Sequence, residues 1–92
     1  MRVRWTEPAA RDLTHICDYI EEHNSSAVAR RVALSIHESV SALVEFPERG
    51  RQGRKAGTRE LIFASLPYLA VYRIGEDAVE ILRILHGAQD WP

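Results

Sequence analysis

The chain has 92 residues, 46% of them hydrophobic and 27% charged, with a formal net charge of −1. A chain of this length buries about two thirds of its unfolded surface, so it predicts one globular domain over residues 1–92 and excludes a second core. The single Cys17 excludes an internal disulfide bond, and no apolar run approaches the ~18 residues of a membrane-spanning helix.

The first predicted elements are a short strand and a long helix. Residues 2–6 alternate polar and apolar side chains, which predicts an edge strand with Val3 and Trp5 on one face. Thr6 supplies a hydroxyl that can cap the helix that follows. Apolar residues then recur at three- and four-residue spacing, which predicts that this helix continues to about His23.

A second helix follows after a very short connection. Ser25 or Ser26 can cap it, and an apolar stripe runs from Ala29 to Val44 until Phe46-Pro47 ends it. Two helices joined by so few residues form an antiparallel hairpin, and each has an apolar stripe to bury.

Residues 47–59 are predicted to form a loop, because they contain a proline and three glycines. This loop explains an uneven charge distribution. Residues 1–48 carry five basic and eight acidic side chains, whereas residues 49–92 carry seven and five. A nearly neutral chain with one basic loop indicates a local site for an anion or an acidic partner. The loop contributes Arg49, Arg51, Arg54, Lys55 and Arg59 without any acid among them.

The last third of the chain predicts three strands, Glu60–Ala64, Tyr68–Ile74 and Val79–His86, rich in β-branched and aromatic residues. Connections of two to four residues require antiparallel neighbours. The predicted fold is therefore α+β in the order β-α-α-β-β-β: a two-helix antiparallel hairpin packed on a mostly antiparallel four-stranded sheet.

Both faces of the last strand are partly apolar. Strict alternation groups Val79, Ile81, Arg83 and Leu85 on one face and Glu80, Leu82, Ile84 and His86 on the other. A strand of this kind lies inside its sheet, and the hairpin covers only one side. We therefore expect an uncovered, partly apolar sheet surface that binds a partner protein.

Six basic residues are candidates for contact with a target. Guanidinium groups bind phosphate bidentately, and a histidine can move a proton near neutral pH, so Arg59, Arg83 and His86 could together cleave RNA without a metal. The alternative is that these side chains are solvated charges at the edge of the sheet. The full set of candidates is Arg54, Lys55, Arg59, Arg73, Arg83 and His86.

Other reactive residues are interpreted as structural. Cys17 lies on the apolar stripe of the first helix, and His15, His23 and His37 are far apart in sequence on helices. Neither a metal-ligand spacing nor a phosphate-binding glycine loop is present, so no metal and no cofactor are expected.

Several short patterns, in this order and spacing, resemble the RelE/ParE superfamily of toxins from type II toxin–antitoxin systems. They cover nearly the whole chain: Trp5-Thr6-Glu7, Ala9-x-x-Asp12-Leu13, Ile16 with Tyr19-Ile20, Phe46-Pro47-x-x-Gly50, Arg59-Glu60-Leu61, Leu66-Pro67-Tyr68, Val71-Tyr72-Arg73-Ile74 and Val79 to His86.

The resemblance implies one of two activities. RelE-like toxins are ribosome-dependent mRNA endoribonucleases, whereas ParE-like toxins inhibit DNA gyrase and have no known chemistry. The ParE-like branch is favoured, because Leu69 occupies a position where the RNase branch tends to have arginine, and because the chain stops at Gln89-Asp90-Trp91-Pro92 without a catalytic tyrosine. A net charge of −1 also suits contact with ribosomal RNA poorly. The RNase branch is favoured instead by Glu48, Arg59 and His86, because these three residues could act as an acid/base set. A degenerate, non-toxic relative is a third alternative.

The partners implied by the resemblance are a cognate antitoxin and DNA gyrase, or the ribosome and mRNA for the RNase branch. Antitoxins of this superfamily lay an extended or helical segment over such a sheet surface. Operator DNA is reached only through the antitoxin, and such modules stabilise plasmids. With no signal-peptide core at the start of the sequence, the protein is expected in the cytoplasm and away from membranes.

Overall fold

The computed structural model describes residues 1–87 and 89–91. Two helices lie against one face of a five-stranded sheet. The elements in chain order are β1 (Arg2–Trp5), α1 (Glu7–His23), α2 (Ser26–Ser41) with a 3-10 turn (Ala42–Val44), β2 (Arg51–Gln52), β3 (Arg59–Ile62), β4 (Tyr68–Ile74) and β5 (Ala78–His86).

The strand order across the sheet is β1-β5-β4-β3-β2. Strand β1 is parallel to β5, and every other pair is antiparallel. The predicted hairpin-on-sheet fold is therefore confirmed, with β1 at an edge and β5 inside the sheet. The predicted strand count of four is wrong, because two residues of the predicted loop, Arg51 and Gln52, pair with β3.

Hydroxyl caps fix both helix starts as the sequence predicted. The Thr6 hydroxyl accepts the backbone N–H of Ala9 at 3.4 Å and donates to the carbonyl oxygen of Ile81 at 2.7 Å. The Ser25 hydroxyl accepts the N–H of Val28 at 3.1 Å. Because the Thr6 hydroxyl also bonds to β5, the same residue that starts α1 attaches it to the sheet.

The main core lies between the hairpin and the inner face of the sheet. Its largest fully buried side chains come from every layer and include Ile36, Leu43, Phe63, Tyr72 and Ile81. On β1, Val3 and Trp5 pack against this core, so Arg2 and Arg4 project from the opposite, outer face of the sheet.

The predicted face assignment of β5 is wrong beyond Leu82. Val71 pairs with Arg83 and the next residue of β4 pairs with Ile81, so Leu82 is an extra residue that forms a bulge. A bulge shifts the alternation by one position. Ile84 consequently joins the inner core, and Leu85 faces outward.

The outer face has a small core of its own, which corrects the prediction of an uncovered apolar surface at its centre, whereas Ile62 beside it is 56% exposed. Leu69, Val71 and Leu85 are only 7%, 0% and 3% exposed. They pack with Leu82 and with Trp91, which crosses this face from the far end of the chain. The expected apolar centre is thus already covered.

Candidate functional site

Arg59 stabilises the segment that follows the hairpin. Its Nη1 donates to the carbonyl oxygen of Gly50 at 2.6 Å and to that of Glu48 at 3.3 Å. Beside it, the Tyr72 hydroxyl donates to the carbonyl oxygen of Pro47 at 2.7 Å and accepts the N–H of Gly50 at 2.8 Å. Burial raises the pKa of Tyr72. Arg59 therefore lies in a structural network on the inner side of the sheet.

Arg83 binds a carboxylate on α1. Its Nε and Nη2 donate to the two carboxylate oxygens of Asp12 at 2.7 and 3.0 Å. Asp12 also accepts the backbone N–H of Ile84 at 2.9 Å. Strand β1 covers β5 only as far as Ile81, so Asp12 takes over the hydrogen bonding of the open edge beyond it. The hydrogen bond with Asp12 raises the pKa of Arg83.

His86 is the last residue of β5. Its ring meets that of Tyr68 edge to face, with centroids 5.9 Å apart. Both line a cleft of about 450 Å³ together with His15, Tyr19 and Gln89. Burial is the main cause of a raised pKa of Tyr68.

The structure does not bring Arg59, Arg83 and His86 together. Arg59 pairs with Tyr72 at one end of β4, whereas His86 pairs with Tyr68 four residues away. Four residues along a strand span about 13 Å, far beyond hydrogen-bonding reach. Two of the three side chains are also bound to groups that hold the fold.

The outer face carries a different set of basic residues. Arg4 on β1 and Arg73 on β4 both form ion pairs with Glu80. Glu80 lies between them on β5 and is the cross-strand neighbour of each. Arg51 donates to Glu60 at 2.9 Å, and Glu60 is only 4% exposed.

Arg54 completes this set from the loop after β2. Its backbone N–H approaches Glu60 at 3.4 Å, and its Nη1 contacts the carbonyl oxygen of Trp91 at 3.5 Å. Lys55, the next residue, is exposed in the adjoining turn. We call the five arginines of this surface, Arg2, Arg4, Arg51, Arg54 and Arg73, the outer-face arginines.

Sequence reasoning identified Arg54 and Arg73 of this set but missed Arg2, Arg4 and Arg51 as site residues. The signal for Arg2 and Arg4 was available, because the alternation that buries Val3 and Trp5 places the arginines between them on the opposite face. Arg51 belonged to the predicted basic loop, but its place on the outer face depends on pairing with β3.

Within residues 1–87 and 89–91, no group of three His, Cys, Asp or Glu side chains is arranged to hold a metal ion. Over the same residues, none of the helices has the length and apolar character to cross a membrane.

Two solved structures that share this architecture belong to toxin–antitoxin systems, which is the class of protein that the fold indicates. One is a chain of the chromosomal ParDE system from P. aeruginosa, with a TM-score of 0.86 and 31% identity over 94% of this chain and 95% of that one. Another belongs to the RelBE2 toxin–antitoxin complex from Mycobacterium tuberculosis, with a TM-score of 0.64 and 27% identity over 92% and 95%.

The sequence comparison then specifies the family. Residues 3–91 match the family described as the ParE toxin of type II toxin–antitoxin systems, parDE, and the chain belongs to this family. Y4kP of Sinorhizobium fredii, provisionally named a toxin, is 50% identical over 99% of this chain and 93% of its own length. Toxin RelE2 of Caulobacter vibrioides is 41% identical over 96% and 97%.

Proposed function

We propose that this chain is the toxin of a two-component module, that it arrests growth by binding DNA gyrase, and that a cognate antitoxin neutralises it in the cytoplasm. Membership of the ParE toxin family supports the toxin role. The similar structures from a ParDE system and a RelBE2 complex support a protein antitoxin as partner. The proposed action is inhibition by binding and uses no cofactor.

The separation of Arg59 from His86 is the observation that favours gyrase over mRNA cleavage. Metal-free RNA cleavage needs a proton-transfer group and a phosphate-binding cation at one phosphodiester. Here the backbone positions of Arg59 and His86 are offset by about 13 Å along the strands, and β4 lies between them. Arg83 is occupied by Asp12 as well.

Leu69 supports the same conclusion. In the RNase branch an arginine tends to occupy this position, where it adds positive charge to the site. In this chain Leu69 is 7% exposed and packs with Val71, Leu85 and Trp91. The position therefore contributes packing to the outer face and no charge.

The target-binding surface is proposed to centre on Arg54, Lys55 and Arg73. Arg54 and Arg73 lie on the outer face, and Lys55 adjoins it in the turn after β2. Arg59, Arg83 and His86 are assigned instead to holding the fold and lining the cleft.

The test is a supercoiling assay with purified protein, gyrase and relaxed plasmid. The triple variant Arg54→Gln, Lys55→Gln, Arg73→Gln should inhibit gyrase at least about 10-fold less well than the unmodified protein, since interface charges contribute about 1–2 kcal/mol together. The matched control, Arg11→Gln, Arg30→Gln, Arg31→Gln, makes the same charge change on the hairpin and should inhibit normally. Antitoxin affinity and melting temperature establish that each variant is folded.

A ribosome-dependent endoribonuclease is the second candidate, favoured by the cleft that gathers His15, His86, Tyr19 and Tyr68. In a translation extract, this function would produce cuts in mRNA on the ribosome, abolished by His86→Gln, while gyrase stayed active. Gyrase inhibition without mRNA cuts supports the proposal. Cuts without gyrase inhibition refute it, and absence of both effects identifies a non-toxic relative.

A further inference from the structure

Charge is strongly polarised between the two sides of this domain. Residues 7–48, which form the hairpin and its ending, carry eight acidic and three basic side chains. The outer face of the sheet has the opposite balance, with the five outer-face arginines against two carboxylates, Glu60 and Glu80. Glu76 and Asp77 lie in the β4–β5 turn, at the rim of this face.

The outer face presents mainly charge to a partner, although Ile62, which pairs with Leu69, is 56% exposed there. Leu69, Val71 and Leu85 are nearly inaccessible beneath Trp91. The guanidinium-bearing side chains are open, since those of Arg4, Arg51 and Arg73 are 47%, 58% and 56% exposed. A ligand that gains its affinity from buried apolar area has little to bind here beyond Ile62, whereas a polyanion has several donors.

The arginines are also held at fixed spacing. Arg4 and Arg73 share Glu80 from the two neighbouring strands, and Arg51 is anchored by the buried Glu60. From β1 to β2 the sheet spans four inter-strand distances, about 19 Å. This width exceeds the ~12 Å major groove of B-DNA, so arginines at the two edges can reach phosphates on both sides of one groove.

We infer that the outer-face arginines form a docking site for the phosphate backbone of duplex DNA. Arginine binds phosphate bidentately, and a rigid row of guanidiniums matches a rigid, regularly charged ligand. Single-stranded nucleic acid is a poorer match, because it is bound largely by stacking on aromatic rings. The large exposed aromatic residues of the described chain, Tyr19 and Phe46, lie on α1 and after the 3-10 turn.

Phosphate contacts position a protein on DNA without reading its sequence. This site is therefore distinct from recognition of operator DNA, which we assign to the antitoxin. The inference rests on the proposed function and deepens it, since DNA is the substrate of gyrase. It is tested without gyrase, so that failure of either proposal leaves the other standing.

The experiment is fluorescence anisotropy of a labelled 24-base-pair duplex of arbitrary sequence titrated with the full chain between 50 and 200 mM KCl. Four phosphate contacts give a slope of log K against log salt of about −3.6, which is a loss of affinity of roughly 10²-fold over this range. Arg73→Gln or Arg54→Gln should each make the slope shallower by about one unit. Glu80→Gln removes the negative charge between Arg4 and Arg73 and retains a side-chain oxygen as their acceptor, so it should tighten binding, an effect that loss of a purely structural contact does not produce.

Arg30→Gln is the matched control, because it removes one exposed arginine from the opposite side of the domain and should leave the slope unchanged. Absence of binding at 50 mM KCl, or equal effects of Arg30→Gln and Arg73→Gln, overturns the inference. Tighter binding of a single strand of the same length overturns the choice of duplex. Competition by polyglutamate as effective as by DNA identifies a site for an acidic protein and equally overturns it.

Discussion

Replacing Asp12 with alanine removes the carboxylate that joins α1 to β5. It deletes two charge-assisted hydrogen bonds from Arg83 and one from the N–H of Ile84. Ile84 is 2% exposed, so its N–H would lack a partner, at a cost of about 1–3 kcal/mol. Because the Arg83 side chain is 36% exposed, water replaces much of the ion pair, which we value at only about 1 kcal/mol.

The free energy of unfolding should therefore fall by about 2–4 kcal/mol, and the melting temperature by about 10–25 °C for a domain of this size. Urea titration followed by circular dichroism measures the first quantity, and thermal melting the second. Asp12→Asn retains an acceptor for the Ile84 N–H and should lose only about 1 kcal/mol.

The control is Asp18→Ala, which removes an exposed carboxylate from the same helix and should change stability by less than about 0.5 kcal/mol. A double-mutant cycle with Arg83→Gln separates the ion pair from the bond to the strand. Equal effects of Asp12→Ala and Asp18→Ala would refute the assignment of Asp12 as the link between helix and sheet.

Three further outcomes are expected. Burial raises the pKa of Tyr72 above its ordinary 10.0, so the folded state retains the phenol proton to higher pH than the unfolded state. The free energy of unfolding should therefore fall as pH rises above about 10. In urea titrations Tyr72→Phe should show a flatter alkaline profile, and Tyr68 and Cys17, whose pKa values are also raised, account for the remaining decline. Trp91→Ala should lower stability by about 1 kcal/mol and increase binding of a hydrophobic dye, because it uncovers Leu69; unchanged dye binding would contradict this cover. Gly50→Ala should lower the free energy of unfolding by about 1–3 kcal/mol, because its Cβ would lie 2.6 Å from the Tyr72 hydroxyl oxygen and 2.9 Å from the carbonyl oxygen of Glu60. In the control, Gly87→Ala, the nearest atom to the new Cβ is 3.6 Å away, so this variant should melt within a few degrees of the unmodified protein.

Most of the fold could be predicted from local patterns in the sequence. The caps at Thr6 and Ser25 and the periodicity of the helices determined the hairpin, and the turns around Pro67 and Gly75 determined the meander. The two residues of β2 were not predicted as a strand, because their pairing depends on the distant Glu60 rather than on residues nearby in sequence. The bulge at Leu82 was not predicted for a similar reason, because an extra residue in one strand can be recognised only when its pairing with the neighbouring strand is known.

The candidate site was harder to predict because an arginine looks the same in a sequence whether it binds a target or its own chain. Arg59 and Arg83 have partners at positions 48, 50 and 12 that only the fold brings close. Alternation in β1, by contrast, was sufficient to place Arg4 on the outer face.

The parallel pairing of β1 with β5 also determines when the fold can be completed during synthesis of the chain. Arg2 pairs with Ala78 and Trp5 with Ile81, so the first strand has no neighbour until almost the whole chain has left the exit tunnel. Contacts of such long sequence separation form late. The sheet of a nascent chain therefore remains incomplete until its final strand emerges, so a partner protein made earlier is present before this fold is complete.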